Sequence, residues 1–98
     1  MEILKKTEDS MLEIALTGRL DTTTAPSLEA ELKSSLDNVT ELVLDFEKLD
    51  YVSSAGLRVI LGAQKVMNKQ GKMVIRNVCS DIMEVFDITG FSDILTFE

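Results

Sequence analysis

A short apolar run followed by a serine pair and a long helical pattern decides the fold. The residues are Leu42-Val43-Leu44-Asp45-Phe46, then Leu49-Asp50-Tyr51-Val52-Ser53-Ser54-Ala55-Gly56-Leu57-Arg58. A continuous apolar run such as 42–44 is typical of a strand buried on both faces. Helical periodicity then runs from the serine pair to about Gln70, and Gly71 is a natural end. The stretch predicts a strand, a polar segment at residues 45–50, and a helix.

The preceding residues predict two strands and a helix. Ile3 and Leu4 lie in a short extended stretch that ends in a polar turn at residues 7–10. Alternating apolar residues over 12–16 predict a second strand, which we expect Gly18 to end. Residues 18–21 are then predicted as a loop. Thr23 or Thr24 is a candidate cap for an amphipathic helix whose apolar positions are Ala25, Leu28, Leu32 and Leu36.

The residues after Gly71 predict a strand, a short helix and a last strand. The strand is Lys72–Arg76, and Ser80 or Asp81 is the candidate cap of the helix, which Gly90 ends. The last strand is predicted at Ile94–Phe97.

Strands that alternate with helices indicate an α/β fold, with parallel neighbours joined by crossovers. The spacing predicts a small mixed sheet of about five strands with helices packed against it. No segment has the composition of a linker or a repeat, so residues 1–98 are predicted to form a single domain.

Composition excludes several kinds of function. The 98 residues carry a formal charge of −7, and an acidic chain repels nucleic-acid phosphates and anionic membranes. The absence of histidine excludes a Ser-His-Asp triad and His-ligated metal. Cys79 is the single cysteine, and we expect an ordinary semi-buried thiol. Residues 1–6 lack the apolar core of a signal peptide, so the cytoplasm is the expected location.

Binding sites in such sheets form where strands lead into helices. Residues 18–24 and 50–58 are the two such segments, and the second places two hydroxyls at the start of a helix. Three interpretations compete for Ser53 and Ser54. A serine can cap the helix, act as a nucleophile, or accept a phosphate. The nucleophile is the least supported, because histidine is absent and Leu57 stands where a Ser-x-x-Lys arrangement needs lysine.

Two groups of charged residues have both a plain and a functional interpretation. Arg58, Lys65 and Lys69 share one stripe of the helix, which is either a solvated face or a contact for an acidic partner. The aspartates of the polar segments are either turn residues or ligands of Mg²⁺. If these aspartates converge near the serine pair, a phosphate there would enter an acidic surface. These aspartates are Asp21, Asp45 and Asp50.

The serine segment resembles the signature of STAS domains, and more narrowly the stand-alone anti-sigma-factor antagonists of bacteria. Residues 42–46 and 49–61 carry the resemblance, and Gly18-Arg19-Leu20-Asp21 followed by Thr24-Ala25 resembles the other loop of the family. The resemblance implies a phosphoacceptor two residues before the motif glycine, which is Ser54 before Gly56. Many members have aspartate before the acceptor. Here Ser53 takes that place and is a minor alternative acceptor.

The resemblance also implies partners and a switch. The unphosphorylated protein would bind an anti-sigma factor that is also a serine kinase, phosphorylation would release it, and a PP2C-type phosphatase would reset it. It implies neither a catalytic role nor a cofactor or metal. The alternative is a STAS interaction module of a stress-signalling scaffold or of lipid transport, without a phospho-switch. The residues expected at the partner surface are Gly18, Arg19, Asp21, Asp50, Ser53, Ala55, Gly56 and Arg58.

Overall fold

The computed structural model describes residues 1–98 as four strands, three α-helices and one turn of 3-10 helix. In chain order these are β1 (Glu2–Glu8), β2 (Met11–Leu20), α1 (Ala25–Ser35), β3 (Glu41–Val52), α2 (Ser54–Gln70), β4 (Lys72–Arg76), α3 (Ser80–Thr89) and the 3-10 turn (Phe91–Asp93). No helix is both long enough and apolar enough to cross a bilayer.

The strands form one mixed sheet in the order β1-β2-β3-β4. β1 and β2 form an antiparallel hairpin, whereas β2–β3 and β3–β4 are parallel pairs joined by helices. The α/β class is confirmed, but the expected fifth strand is not. Ile94 and Leu95 form a turn and a bend after the 3-10 turn Phe91–Asp93, so the predicted strand at Ile94–Phe97 is reduced to one bridge between Phe97 and Ile75.

The core lies between one face of the sheet and the helices. Leu12, Ile14 and Leu16 of β2 point to this face and are almost fully buried. On β1, the ammonium of Lys5 reaches across to Glu31 of α1 at 2.6 Å, which places α1 over the hairpin. Val43 and Val74 are buried but lie outside the core cluster, because they point to the opposite face. The domain is therefore two-layered.

β2 and β3 extend further than the sequence indicated. Gly18 does not end β2, which continues to Leu20, and residues 45–50 belong to β3. Two register shifts between β2 and β3 insert extra residues into β3. As a result Phe46, Leu49 and Val52 are buried at a spacing of three instead of two. That spacing matches no strand pattern, so the segment has the appearance of a polar loop in the sequence.

The helix boundaries are close to those expected. α2 ends before Gly71, and Gly90 ends α3 in a left-handed conformation with φ of 82°. Thr24 occupies the N-cap position of α1 without a side-chain capping bond. The expected cap of α3 at Ser80 or Asp81 is wrong, because Cys79 occupies that position. The thiol of Cys79 is exposed, not semi-buried, because it precedes the helix at the surface.

Candidate functional site at the start of α2

The two serines at the start of α2 have different surroundings. Ser53 is the N-cap residue, and its side-chain oxygen accepts a hydrogen bond from the Gly56 N–H at 3.3 Å. The Ser53 N–H donates to the Leu20 carbonyl at 2.9 Å, which joins the serine to the end of β2. Ser53 is half-buried, whereas Ser54 is exposed and its hydroxyl makes no hydrogen bond within the chain. Capping therefore accounts for Ser53 and leaves the Ser54 hydroxyl accessible.

Gly56 brings α2 against the end of β2. A Cβ at this position would lie 2.6 Å from Cγ of Leu20 and 3.1 Å from the Leu20 carbonyl oxygen. Although Gly56 is expected at the partner surface, the close approach that it allows is made by this chain's own Leu20. Gly56 is buried, and its contact with Leu20 sets the position of the serine pair at the start of α2.

The turn after β2 is organised by Asp21. Its Oδ1 accepts from the Thr23 hydroxyl at 2.7 Å, from the Thr23 N–H at 3.0 Å, and from the Thr24 N–H at 3.2 Å. The bond from the Thr23 hydroxyl, together with these N–H groups, lowers the pKa of the Asp21 carboxyl below its ordinary value. Asp21 is therefore a turn residue that keeps its negative charge beside the start of α1.

A cation–π pair lies beside this turn. The guanidinium of Arg19 lies 4.2 Å from the ring centroid of Tyr51, its partner in the β2–β3 register. The Nε of Arg19 is 3.7 Å from Oδ2 of Asp21. Arg19, Asp21, Tyr51 and the serine pair therefore meet at the carboxyl ends of two neighbouring parallel strands.

Sequence reasoning missed Tyr51 and Leu20 as parts of this site. Both are placed by the β2–β3 register, in which Arg19 pairs with Tyr51 and Leu20 with Val52. The one available signal was that Tyr51, the single tyrosine of the chain, comes just before the serine pair.

The remaining expected site residues are distributed around this centre. Gly18 lies in β2 with φ of 100°, one position before Arg19, and Asp50 is exposed beside Tyr51. Ala55 is half-buried in the first turn of α2. Asp50 stands at the second register shift, where it has no partner on β2. Both Gly18 and Asp50 thus border the site.

Asp45 does not converge with the other aspartates. It pairs with Ala15 and Arg76 within the sheet, and its Oδ1 accepts from Asn77. It lies seven positions before Val52 in β3, which is roughly 20 Å of strand. No group of three or more acidic or thiol side chains in the structure could hold a metal ion.

The basic stripe of α2 is exposed and unpaired. Arg58, Lys65 and Lys69 all face solvent, and none has a carboxylate within 4.0 Å. The other two arginines of the chain, Arg19 and Arg76, each have one. Arg58 lies one helical turn after Ser54, so the accessible hydroxyl has an uncompensated cation beside it.

The arrangement offers contacts rather than an activated nucleophile. The Ser54 hydroxyl has no side chain hydrogen-bonded to it that could take its proton. The neighbouring strand ends and the first turns of α2 carry an ionised carboxylate, a guanidinium stacked on a tyrosine, and an exposed arginine. These groups suit recognition by another protein surface.

Comparison with known proteins gives matches over almost the whole chain. The STAS domain family model matches residues 2–98. BtrV of Bordetella bronchiseptica, named as a candidate anti-sigma factor antagonist, is 42% identical over 88 residues, covering 88% of this chain and 76% of that protein. The anti-sigma-B factor antagonist of Staphylococcus aureus is 31% identical over 97 residues, covering 97% of this chain and 90% of the relative.

The fold is also that of a solved anti-sigma factor antagonist, SpoIIAA. Its unphosphorylated form gives a TM-score of 0.79 at 19% identity, covering 99% of this chain and 87% of that one. The phosphorylated form, from Bacillus, gives a TM-score of 0.78 at 20% identity, with 99% and 91% covered. At these identities the likeness establishes the shared fold.

Proposed function

The chain belongs to the STAS domain family, and from this membership we propose that it acts as an anti-sigma-factor antagonist. In this proposal residues 1–98 form one regulatory domain that works in the cytoplasm by binding, not by catalysis. Unphosphorylated, it binds an anti-sigma factor and thereby releases the sigma factor. Phosphorylation of Ser54 ends the binding.

The observation that carries the proposal is the difference between the two serines. Ser53 is half-buried and its oxygen accepts a hydrogen bond from α2, whereas Ser54 is exposed with a free hydroxyl. A kinase needs an accessible hydroxyl, so Ser54 is the better acceptor. Phosphate there would add about two negative charges to a chain whose formal charge is already −7.

The switch works by charge at the contact surface and not by refolding. Ser54 is the first residue of α2, where the helix dipole and unpaired N–H groups tolerate a phosphate. The domain therefore keeps its fold when phosphorylated, and the partner's surface meets a bulky dianion where a neutral hydroxyl had been. Gly18, Arg19, Asp21, Asp50, Ala55 and Arg58 form the surrounding contact surface.

The enzymes of the cycle are external to this chain. We assign the phosphoryl transfer to the anti-sigma factor, acting as a serine kinase with ATP, and the reset to a PP2C-type phosphatase. This division agrees with a site that holds an accessible hydroxyl and no base beside it.

The test combines phosphorylation with binding. Serine-kinase anti-sigma factors encoded in the same genome are purified one by one, incubated with the protein and ATP, and the Ser53–Ser54 peptide is analysed by mass spectrometry. We expect phosphate on Ser54. Ser54→Ala should keep its affinity for the kinase, and Ser54→Asp should bind at least about tenfold more weakly, which corresponds to about 1.4 kcal/mol.

Ser53→Ala is the matched control. It removes the cap of α2, so it should lower stability by about 1 kcal/mol while Ser54 remains a substrate. Phosphate on neither serine, or a Ser54→Asp variant that binds like wild type, would contradict the switch. Neither binding nor phosphorylation with any of these anti-sigma factors would instead favour a STAS interaction module of another complex.

A further inference from the structure

A groove of about 340 Å³ runs between α1 and α2. Its apolar lining comes from Leu32 of α1, from Leu36 just after that helix, and from Val59, Ala63 and Val66 of α2. Val66 is 42% exposed, which is high for a valine in a helix that packs on a sheet. The apolar strip between the two helices therefore reaches the surface at Val59 and Val66, with the other apolar lining residues buried beneath it.

Gly62 stands in the middle of this strip. It is exposed, and a Cβ built on it would meet nothing within 4 Å, so no contact within the chain requires a glycine. Glycine in a helix interior destabilises the helix relative to alanine. A glycine that the fold does not need, on a groove wall, allows the backbone of a second molecule to approach closely.

The α2 side of the groove carries unbalanced positive charge. Arg58 lines the groove and lacks a carboxylate partner, and Lys65 and Lys69 continue the same stripe. On the α1 side, Lys33 lies 3.9 Å from Glu29 and Asp37 adds a further carboxylate. A complementary partner would therefore present apolar side chains flanked by carboxylates that face α2.

The groove is continuous with the proposed phosphoacceptor. Arg58 follows Ser54 by four residues, so the two side chains are neighbours on α2, about 6 Å apart along its axis. A phosphate on Ser54 would lie beside Arg58 and could pair with it. It would then compete with any partner carboxylate for this arginine.

We propose that the groove between α1 and α2 is the docking surface for an apolar, acidic segment of the anti-sigma factor. The segment lies against Gly62 and Val66 and places a carboxylate on Arg58. Phosphate on Ser54 takes Arg58 from that carboxylate. The inference rests on the proposed function, and it adds the surface that extends the contact beyond the serine loop.

Gly62→Ala is the decisive variant, because it should make the domain more stable and at the same time weaken its binding to the anti-sigma factor. Removing a helix-interior glycine should raise Tm by about 5 °C. The added methyl should nevertheless weaken binding of the purified anti-sigma factor about tenfold in calorimetry. Arg58→Ala should also weaken binding about tenfold, with partial recovery in Arg58→Lys.

Ser34→Ala is the matched control. Ser34 is an exposed residue of α1 outside the groove, and alanine there also improves helix propensity. This variant should bind like wild type. If the wild-type protein binds the anti-sigma factor, and Gly62→Ala and Arg58→Ala bind it equally tightly, the inference is overturned and the proposed function stands.

Two further outcomes would also overturn the inference. If the wild-type protein binds none of the anti-sigma factors, the proposed function fails and this inference fails with it. If sedimentation shows a wild-type dimer that Gly62→Ala dissociates, the groove belongs to a second copy of the chain and the inference is overturned.

Discussion

At each end of α2 a glycine packs closely against another segment of the chain, but the atoms that the two glycines meet differ. At the far end, a Cβ on Gly71 would lie 1.9 Å from the Thr40 carbonyl oxygen. At the serine end, the nearest atom to a Cβ on Gly56 belongs to the Leu20 side chain, at 2.6 Å. One end meets backbone atoms first, and the other meets the buried Leu20 side chain first.

The two ends of α2 also differ in the hydrogen bonds that their polar groups make. At the far end, the amide of Gln70 donates to the carbonyls of Leu36 and Val39, at 2.7 and 2.6 Å. The Lys72 N–H donates to the Thr40 carbonyl at 3.0 Å. At the serine end the Ser54 hydroxyl has no partner. The far end is held by side-chain and backbone bonds, whereas the serine end is held through Ser53 and leaves the Ser54 hydroxyl unbonded.

The largest expected effect is at the far end. Gly71→Ala should destabilise the domain by about 3 kcal/mol, because the methyl must displace the Thr40 carbonyl and its hydrogen bond to Lys72. The φ of Gly71 is 172°, which alanine can adopt, so the effect comes from space alone. Urea denaturation would measure it. A loss under about 1 kcal/mol would show that this end is not rigid.

An intermediate effect is expected at the serine end. Gly56→Ala should cost about 1–2 kcal/mol, since the new methyl must shift the buried Leu20 side chain and lies only 3.1 Å from the Leu20 carbonyl oxygen. The displaced helix start should also lower the rate of Ser54 phosphorylation. Urea denaturation and a kinase assay on the same sample measure both. If Gly56→Ala proved as costly as Gly71→Ala, the contrast between the two ends would disappear.

The smallest effect concerns Asp21 beside the serine end. Its folded pKa is lowered, so its ionised form contributes stability above the ordinary carboxyl value of 3.8, and this contribution is lost as pH falls through the folded pKa. Asp21→Asn should therefore be slightly less stable than wild type at pH 7, with the difference shrinking as the pH falls below 3.8. Thermal denaturation across pH tests this, and a constant difference would contradict it.

Local patterns predicted most of the elements. The alternation over Leu12, Ile14 and Leu16, the helical spacing of α1 and the stops at Gly71 and Gly90 all correspond to observed elements. The misses have a common cause. The ends of β2 and β3 and the bridge of Phe97 to Ile75 depend on pairing between distant residues, which leaves no regular period in either segment.

The candidate site could be predicted only in part, because some of its contacts also depend on pairing between residues distant in sequence. The serine pair and the turn at Asp21 are local motifs, so both segments could be named from the sequence, but the choice of Ser54 over Ser53 came from the resemblance to the STAS signature. The stacking of Arg19 on Tyr51 and the contact of Gly56 with Leu20 depend on the register of two strands separated by a helix.

The sequence by itself determined the α/β class, the serine pair at a helix start, and the absence of histidine, because each depends on residue identity and short-range spacing. The tertiary structure alone decided that Ser53 is engaged and Ser54 accessible, that Gly56 meets the chain's own Leu20, and that a groove lies beside Arg58. The physical reason is that accessibility and close approach are properties of packed surfaces. They arise only when segments distant in sequence share one register and one core.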